Sequence, residues 1–275
     1  MRLNVALVGC GAIGSVLARA IDEGRAGDVK LGWVYDLKRE KSKALVKKLR
    51  LKPRIAKGAS EIYADKTVGL VIEAASQLAV EQYSLDILRS GKDLMVMSVG
   101  AFADDKLLKN VRAAAERNGR RVYIPSGAVL GIDGVKAAGL GRIREAVLTT
   151  RKPPATLAYS EYLQKRRIRL KGLKRPRVVF DGPARRAVKL FPASVNVAAT
   201  LSLAGIGLDR TRVRIIADPK LRRNVHEIRV RGEAGELVTE ARNVPFPDVR
   251  RTSYLAALSA IRTLRNLSET IRIGT

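Results

Sequence analysis

Cysteine, histidine and aromatic side chains are scarce in this chain, and each scarcity excludes a class of protein. One cysteine among 275 residues excludes an internal disulfide and suits a reducing compartment. The chain has one histidine and one cysteine in all, which argues against a zinc site, because such sites draw several ligands from these two residue types. Aromatic residues make up 4% of the chain, too few for the stacking surfaces that bind single-stranded nucleic acids.

Long apolar runs are also missing. No stretch approaches the ~20 apolar residues that a bilayer-spanning helix needs. The first strand-like run starts at Leu3, so we expect no signal peptide ahead of it and a cytoplasmic protein. Hydrophobic residues nevertheless make up 46% of the chain, which indicates a globular protein with room for two modest domains.

Acidic residues are few relative to basic ones: 26 against 53, for a net charge of +27. Such a balance raises a nucleic-acid hypothesis. The basic residues are scattered in pairs such as Lys38-Arg39 and Arg222-Arg223, however, and the densest run, 164–177, contains no aromatic residue. We prefer a charged, solvated surface, of the kind that gains from ion-pair networks in a hot habitat. A positive surface would also attract small acidic molecules.

Glycine, in contrast, recurs in a pattern typical of nucleotide-binding turns. The strand-like run Leu3 to Val8 leads into Gly9-Cys10-Gly11-Ala12-Ile13-Gly14, a helical pattern, and a second strand that ends on Asp36. In a dinucleotide fold, Gly9 makes the tight turn, Gly11 lets a pyrophosphate approach the backbone, and Gly14 lets the helix pack on the strand. The pyrophosphate lies at the positive end of that helix, and Asp36 accepts from ribose hydroxyls. The predicted cofactor contacts in this segment are Gly9, Gly11, Ala12, Ile13, Gly14 and Asp36.

The choice between NAD and NADP stays open at this point. The carboxylate of Asp36 would repel a 2′-phosphate, which favours NAD, whereas Lys38 and Arg39 could pair with that phosphate if Asp36 turned away. Cys10 lies in the turn without a thiol partner, and we interpret it as a small space-filling residue rather than a nucleophile.

The first half of the chain alternates strands with helices, which predicts a Rossmann-type, doubly wound parallel sheet over residues 1–125. In such sheets the ligand binds beyond the carboxyl ends of the strands. The small residues Ala74, Ala75 and Ser98 follow two predicted strands, Val68 to Ala74 and Asp93 to Val99, and are further candidate cofactor contacts.

From Ser126 the pattern changes to long strand-like runs with few helices. It predicts a second α+β domain over residues 126–250, with a mostly antiparallel sheet and helices on one face. We expect residues 251–275 to form a helix that packs back on the first domain. The predicted strands of the second domain are Arg142 to Thr150, Arg177 to Asp181, Arg212 to Ala217, Val225 to Val230 and Leu237 to Asn243.

The only histidine, His226, alternates with Ile228 and Val230 on one face of a predicted strand. On this pattern alone it is either a satisfied core residue or a catalytic proton acceptor. A neighbouring nucleotide domain favours the second interpretation, because removing a hydride from a C–N or C–O centre requires a proton acceptor. Asn196, in an apolar helix from Ala193 to Leu203, either braces a loop or contacts the nicotinamide or the substrate.

Four segments, in this order, resemble the L-aspartate dehydrogenase family: the glycine turn, Pro125-Ser126-Gly127-Ala128 with Gly131-Ile132-Asp133, Ala193 to Thr200, and Asn224 to Ile228. The resemblance implies oxidation of L-aspartate with NAD or NADP to iminoaspartate, which hydrolyses to oxaloacetate and ammonia or feeds NAD biosynthesis. It also implies a homodimer formed through the second domain, catalysis by His226, and cofactor contacts from Ala128 and Asn196. The chain departs from the family pattern at Val249-Arg250-Arg251-Thr252-Ser253, where we expect Asn-Pro-Lys-Thr-Ser.

Two other functions remain as alternatives. One is another two-domain nicotinamide reductase, of the homoserine dehydrogenase or dihydrodipicolinate reductase type, although the lysine or histidine clusters expected of those enzymes are not evident. The other is an NADH-sensing nucleic-acid-binding protein, which would need a DNA-reading module that the sequence does not indicate.

Overall fold

The computed structural model describes residues 2–192, 196–246, 253–271 and 273–274. The chain divides into two compact units: unit 1 is residues 1–125 with 257–273, and unit 2 is residues 126–256 with 274–275. Among the described residues, every helix is too short or too polar to cross a membrane.

Unit 1 is built on a six-stranded parallel sheet in the order β3-β2-β1-β4-β5-β6. This is the strand order of a Rossmann fold, and it confirms the predicted doubly wound sheet. Its elements up to residue 125 are β1 Leu3–Val8, α1 Ala12–Asp22, β2 Val29–Tyr35, α2 Arg39–Lys48, β3 Arg54–Ile55, α3 Ala59–Ala64, β4 Leu70–Glu73, α4 Gln77–Arg89, β5 Asp93–Val96, a 3-10 helix Val99–Ala103, α5 Asp105–Arg117 and β6 Val122–Tyr123.

Hydrophobic periodicity explains why these segments form these elements. Helix α1 buries Val16, Leu17 and Ile21 along one side, the spacing of an amphipathic helix. The central strand β4 is buried at all four positions, as expected of a strand covered on both faces. Helix α5 begins after Asp104, whose carboxylate accepts from the backbone N–H groups of Lys106 and Leu107 and so caps the first turn.

Unit 2 contains a five-stranded sheet in the order β11-β10-β7-β9-β8. Three of its four pairings are antiparallel and one, β7 with β9, is parallel, which confirms a mostly antiparallel sheet. Its elements are α6 Ile132–Ala138, β7 Ile143–Lys152, α7 Pro154–Leu157, α8 Glu161–Lys165, β8 Arg177–Pro183, α9 Ala184–Leu190, α10 Asn196–Ala204, β9 Arg212–Ala217, β10 Asn224–Gly232 and β11 Gly235–Asn243.

The core of unit 2 lies on one face of this sheet. Leu148, Ile215 and Ile228 from three adjacent strands are buried, as is Leu201 of α10. The other face carries charged side chains, including an ion pair in which Arg212 donates to Asp181 at 2.6 Å. One face is therefore packed and the other polar, as period-two alternation predicts.

The last helix, α11 Tyr254–Asn266, belongs to unit 1 from Ala257 onward. Ser268, just beyond it, accepts a hydrogen bond from the backbone N–H of Asp28 at 3.1 Å, and Gly27 lies directly against Arg265 and Ser268. Two segments with sequence-based predictions lie outside the described residues: 193–195, at the start of the predicted helix Ala193 to Leu203, and 247–252, which includes most of the departure from the family pattern at 249–253.

Candidate active site

The glycine turn between β1 and α1 forms a tight cradle. Gly9 has a φ of +100°, and a Cβ there would lie 2.6 Å from the backbone carbonyl group of Ala74. A Cβ on Gly14 would overlap the carbonyl oxygen of Gly9. Neither position accepts a larger residue, so the turn requires glycine at both.

Gly11 differs, because a Cβ there would meet nothing within 4 Å. It is the N-cap of α1, and no side chain caps this end of the helix. The first backbone N–H groups of α1, from Ala12 and Ile13, therefore face open space with the positive end of the helix dipole behind them. An open, uncapped helix terminus behind a glycine turn fits the pyrophosphate of a dinucleotide.

The carboxylate of Asp36 is fixed by backbone donors. One oxygen accepts from the N–H of Cys10 at 2.8 Å, and the other accepts from the N–H of Lys38 at 2.9 Å. These bonds oppose the rotation that the sequence left open, while the side chains of Lys38 and Arg39 stay exposed. Asp36 lies beside the turn, where remaining oxygen lone pairs can accept from ribose hydroxyls.

Ala75 and Ser98 are tied together by a residue that the sequence analysis missed. The buried carboxylate of Glu73 accepts from the backbone N–H groups of Ala75, Ser76 and Ser98 at 2.8–3.0 Å, and from the Ser98 hydroxyl at 2.8 Å. Burial raises the pKa of Glu73, and these four hydrogen bonds oppose that rise. Glu73 thus holds the loops after β4 and β5 beside the turn. The sequence did offer a signal for Glu73: an acidic residue directly follows the apolar run Leu70 to Ile72.

Cys10 is buried in the turn, with its Sγ 3.5 Å from the hydroxyl oxygen of Ser42. Burial raises the pKa of its thiol to about 11, so the thiol remains protonated at neutral pH. This environment supports a packing role for Cys10.

In unit 2, His226 lies on the inner face of β10 and is 4% exposed. Its Nδ1 is 2.9 Å from the hydroxyl oxygen of Thr150, its neighbour on β7. Burial above all, and then the nearby charge of Lys152, lowers the pKa of His226 from 6.5 to about 3. The imidazole is therefore neutral at neutral pH and can accept a proton.

Three more buried polar residues accompany His226, and the sequence alone indicated a functional role for none of them. Lys152 is 5% exposed, Asn224 is 6% exposed and Asn243 is 4% exposed. Asn224 pairs with Asn243 across β10 and β11. Lys152 follows Arg151, which pairs with Val225, so the register brings Lys152 beside Asn224. Strand alternation from Thr150 could have placed Lys152 on the inner face.

Ala128 joins this cluster through its backbone. Its carbonyl oxygen accepts from the Asn243 side-chain amide at 3.0 Å. Gly127, in the same loop, lies against Val197 of α10. The preceding residue, Asn196, is the first residue of that helix, and its carbonyl oxygen accepts a hydrogen bond from the Thr200 hydroxyl. The structure thus places Ala128, Asn196 and His226 within one unit.

The described residues include no group of three or more histidine, cysteine, aspartate or glutamate side chains arranged to hold a metal ion.

Two family models match this chain, one over most of each unit. A family model described as "Aspartate dehydrogenase, C-terminal" matches residues 133–267, and one described as "Homoserine dehydrogenase, NAD binding domain" matches residues 9–125. The second match confirms the prediction that the cofactor is NAD or NADP.

Full-length relatives agree with the first match. The L-aspartate dehydrogenase of Methanosarcina barkeri is 46% identical over 273 residues, which cover 99% of this chain and 100% of the relative. The L-aspartate dehydrogenase of Methanocaldococcus jannaschii is 40% identical over 273 residues, with coverage of 99% and 100%.

Solved structures show the same fold. The crystal structure of aspartate dehydrogenase from Thermotoga maritima matches with a TM-score of 0.80 at 28% identity and covers 100% of both chains. A myo-inositol dehydrogenase from Lactobacillus casei, at 12% identity and a TM-score of 0.60, covers 98% of this chain and 85% of that one and shows a likeness of fold alone. The match of both units and the full-length identity lead to one conclusion: this chain belongs to the L-aspartate dehydrogenase family.

Proposed function

We propose that this protein oxidises L-aspartate to iminoaspartate with NAD or NADP, and that His226 is the proton acceptor. The observation that carries the proposal is a buried imidazole held neutral in the unit that matches the aspartate dehydrogenase family model. Iminoaspartate hydrolyses to oxaloacetate and ammonia once it is released.

Residues of unit 1 would hold the cofactor. The backbone around Gly9 and Gly11, with the first turn of α1, suits the pyrophosphate, and Asp36 suits the adenosine ribose. Ala74, Ala75 and Ser98 lie on the loops that Glu73 fixes, and their small side chains leave room for a flat ring. The bound nicotinamide supplies the hydride acceptor of the reaction. Ala128 and Asn196 of unit 2 would contact the same cofactor.

His226 would act on the amino group of the substrate. If Nδ1–H donates to the Thr150 hydroxyl, the Nε2 lone pair is left as the acceptor. Nε2 takes a proton from the α-ammonium, and the freed nitrogen lone pair forms the C=N bond as Cα loses its hydride. Thr150 would then orient the ring with Nε2 free for this step, which makes it a positioning residue.

The substrate is tested with a panel of amino acids. Purified protein is given NAD or NADP with L-aspartate, D-aspartate, L-alanine or L-homoserine, and reduced nicotinamide is followed by absorbance. We expect reduction with L-aspartate and little with the others. Faster reduction with L-homoserine would instead favour a homoserine dehydrogenase, the family of the model that matches residues 9–125.

The fixed carboxylate of Asp36 leads us to propose a preference for NAD. Replacing it by serine removes the charge that repels a 2′-phosphate and leaves Lys38 and Arg39 to pair with it. We expect Asp36→Ser to raise the ratio of kcat/KM for NADP to that for NAD by about tenfold or more. Asp28→Ser, which removes an exposed carboxylate of the same unit, is the control. An unchanged ratio in Asp36→Ser would remove this residue from cofactor selection.

We also propose a homodimer formed through unit 2, a cytoplasmic location and a role in supplying iminoaspartate for NAD biosynthesis. The family resemblance supports the dimer and the biosynthetic role, and the single cysteine suits a reducing compartment. Light scattering of the purified protein measures the first of these directly.

A further inference from the structure

Lys152 is a buried cation to which the described residues supply no anion. It is 5% exposed, and no hydrogen bond or ion pair joins its ammonium group to any described residue. A buried charge normally has a partner, because desolvation of an ammonium group is expensive unless an opposite charge or several hydrogen bonds compensate it. Burial also lowers the pKa of Lys152 to about 8, so the group is still mainly charged at neutral pH.

Two amides in the same row across the sheet also lack partners: Asn224, opposite Lys152, and Asn243, on the far side of Asn224. The side-chain oxygens of Asn224 and Asn243 are buried and accept no hydrogen bond from the described residues. Most buried polar atoms in folded proteins have a partner, so two such atoms in one row with a buried, unpaired cation are suited to binding a small polar ligand. This ligand must bring negative charge to Lys152 and hydrogen-bond donors to the amides.

We propose that Lys152 anchors a carboxylate of the substrate, with the side chains of Asn224 and Asn243 completing the pocket next to His226. The inference rests on the proposed function and names the substrate-binding residue of that site. An amino dicarboxylate has the required chemistry: carboxylates for the ammonium of Lys152, and an amino group that donates to amide oxygens. His226 lies one inward-facing position from Asn224 on β10, so the anchored molecule is next to the proton acceptor.

The test compares four variants with the wild-type protein. Lys152→Met removes the charge and keeps the length of the side chain, whereas Lys152→Arg keeps the charge. Asn224→Asp places a competing carboxylate beside Lys152 and tests the same pairing without altering the lysine. Lys189→Met, at an exposed lysine on α9, is the matched control. KM and kcat for L-aspartate, NADH affinity, and the rise in Tm on adding succinate are measured for each.

We expect Lys152→Met and Asn224→Asp to raise KM for L-aspartate by about 100-fold or more, the usual effect of breaking a buried charge pair. Both should keep wild-type NADH affinity and lose the succinate-induced rise in Tm. Lys152→Arg should keep part of that rise, and Lys189→Met should match the wild type. Without ligand, Lys152→Met should be at least as stable as the wild type, because an uncompensated charge has been removed.

Two results would overturn the proposal: an unchanged KM in folded Lys152→Met and in Asn224→Asp, or a fall in kcat at constant KM, which would assign Lys152 to proton transfer. Failure of the proposed function looks different. In that case the wild type would not oxidise L-aspartate, while succinate would still raise the Tm of the wild type and not that of Lys152→Met. A wild type that neither oxidises L-aspartate nor responds to succinate would count against both.

Discussion

Replacing His226 by asparagine is expected to lower kcat for L-aspartate by about 100-fold or more, because the amide cannot take up a proton. Asparagine is close to imidazole in size and can still hydrogen bond to Thr150, so the core around β10 should be little disturbed. NADH affinity should stay within about twofold of the wild-type value, because the cradle and Asp36 lie in unit 1.

Glu227→Gln is the control for this variant. Glu227 is the next residue on β10, is half-buried and faces the opposite side of the sheet. It should keep wild-type turnover. The proposed role of His226 would be refuted by a His226→Asn protein that is folded, binds NADH and oxidises L-aspartate at the wild-type rate.

Replacing Gly14 by alanine should remove cofactor binding. Its Cβ would overlap the carbonyl oxygen of Gly9, so α1 must move away from the turn. We expect the Kd for NADH to rise by about 100-fold or more and the free energy of unfolding to fall by ~2–3 kcal/mol. Fluorescence titration with NADH and urea unfolding measure these two quantities.

Gly11→Ala separates an effect on NADH binding from an effect on the stability of the fold. A Cβ at Gly11 meets open space, so the fold can take the methyl group, yet that group projects where the pyrophosphate is expected. Because Gly11 is the N-cap of α1, where alanine is less favourable than glycine, we expect much weaker NADH binding with a loss of stability of about 1 kcal/mol or less. Gly58→Ala, at the N-cap of α3 in the same unit, should lose a similar amount of stability and keep wild-type NADH binding. If Gly14→Ala binds NADH as the wild type does, the cradle is not the pyrophosphate site.

Much of the fold could be predicted from the sequence because local signals agree with the tertiary structure. The glycine turn, the alternation of strands and helices, and the capping aspartate at Asp104 each specify local geometry, and the parallel sheet follows from them. The parallel pairing of β7 with β9 was not predictable in the same way. Nothing in either strand's own residues specifies pairing with a strand whose residues lie 65 positions further along the chain, as Arg212 does from Val147.

The site was predicted where a residue type is rare and missed where it is common. His226 is the only histidine, so its chemistry could be assigned to one position. Lys152 is one of 53 basic residues, and its lack of a partner is a property of burial and register that the sequence does not show. Glu73 was missed for a similar reason, because its four hydrogen bonds join two loops from separate strands.

In the proposed reaction a neutral, buried imidazole receives the proton, and NMR reports the charge state of His226. Because the chain has one histidine, nitrogen-15 NMR of tag-free protein with bound NADH reports a single imidazole. Burial and the charge of Lys152 lower its pKa from 6.5 to about 3, so the ring should stay neutral from about pH 8 down to about pH 5. A titration midpoint near 6.5, the ordinary value of a solvent-exposed imidazole, would show that His226 is not held neutral by burial.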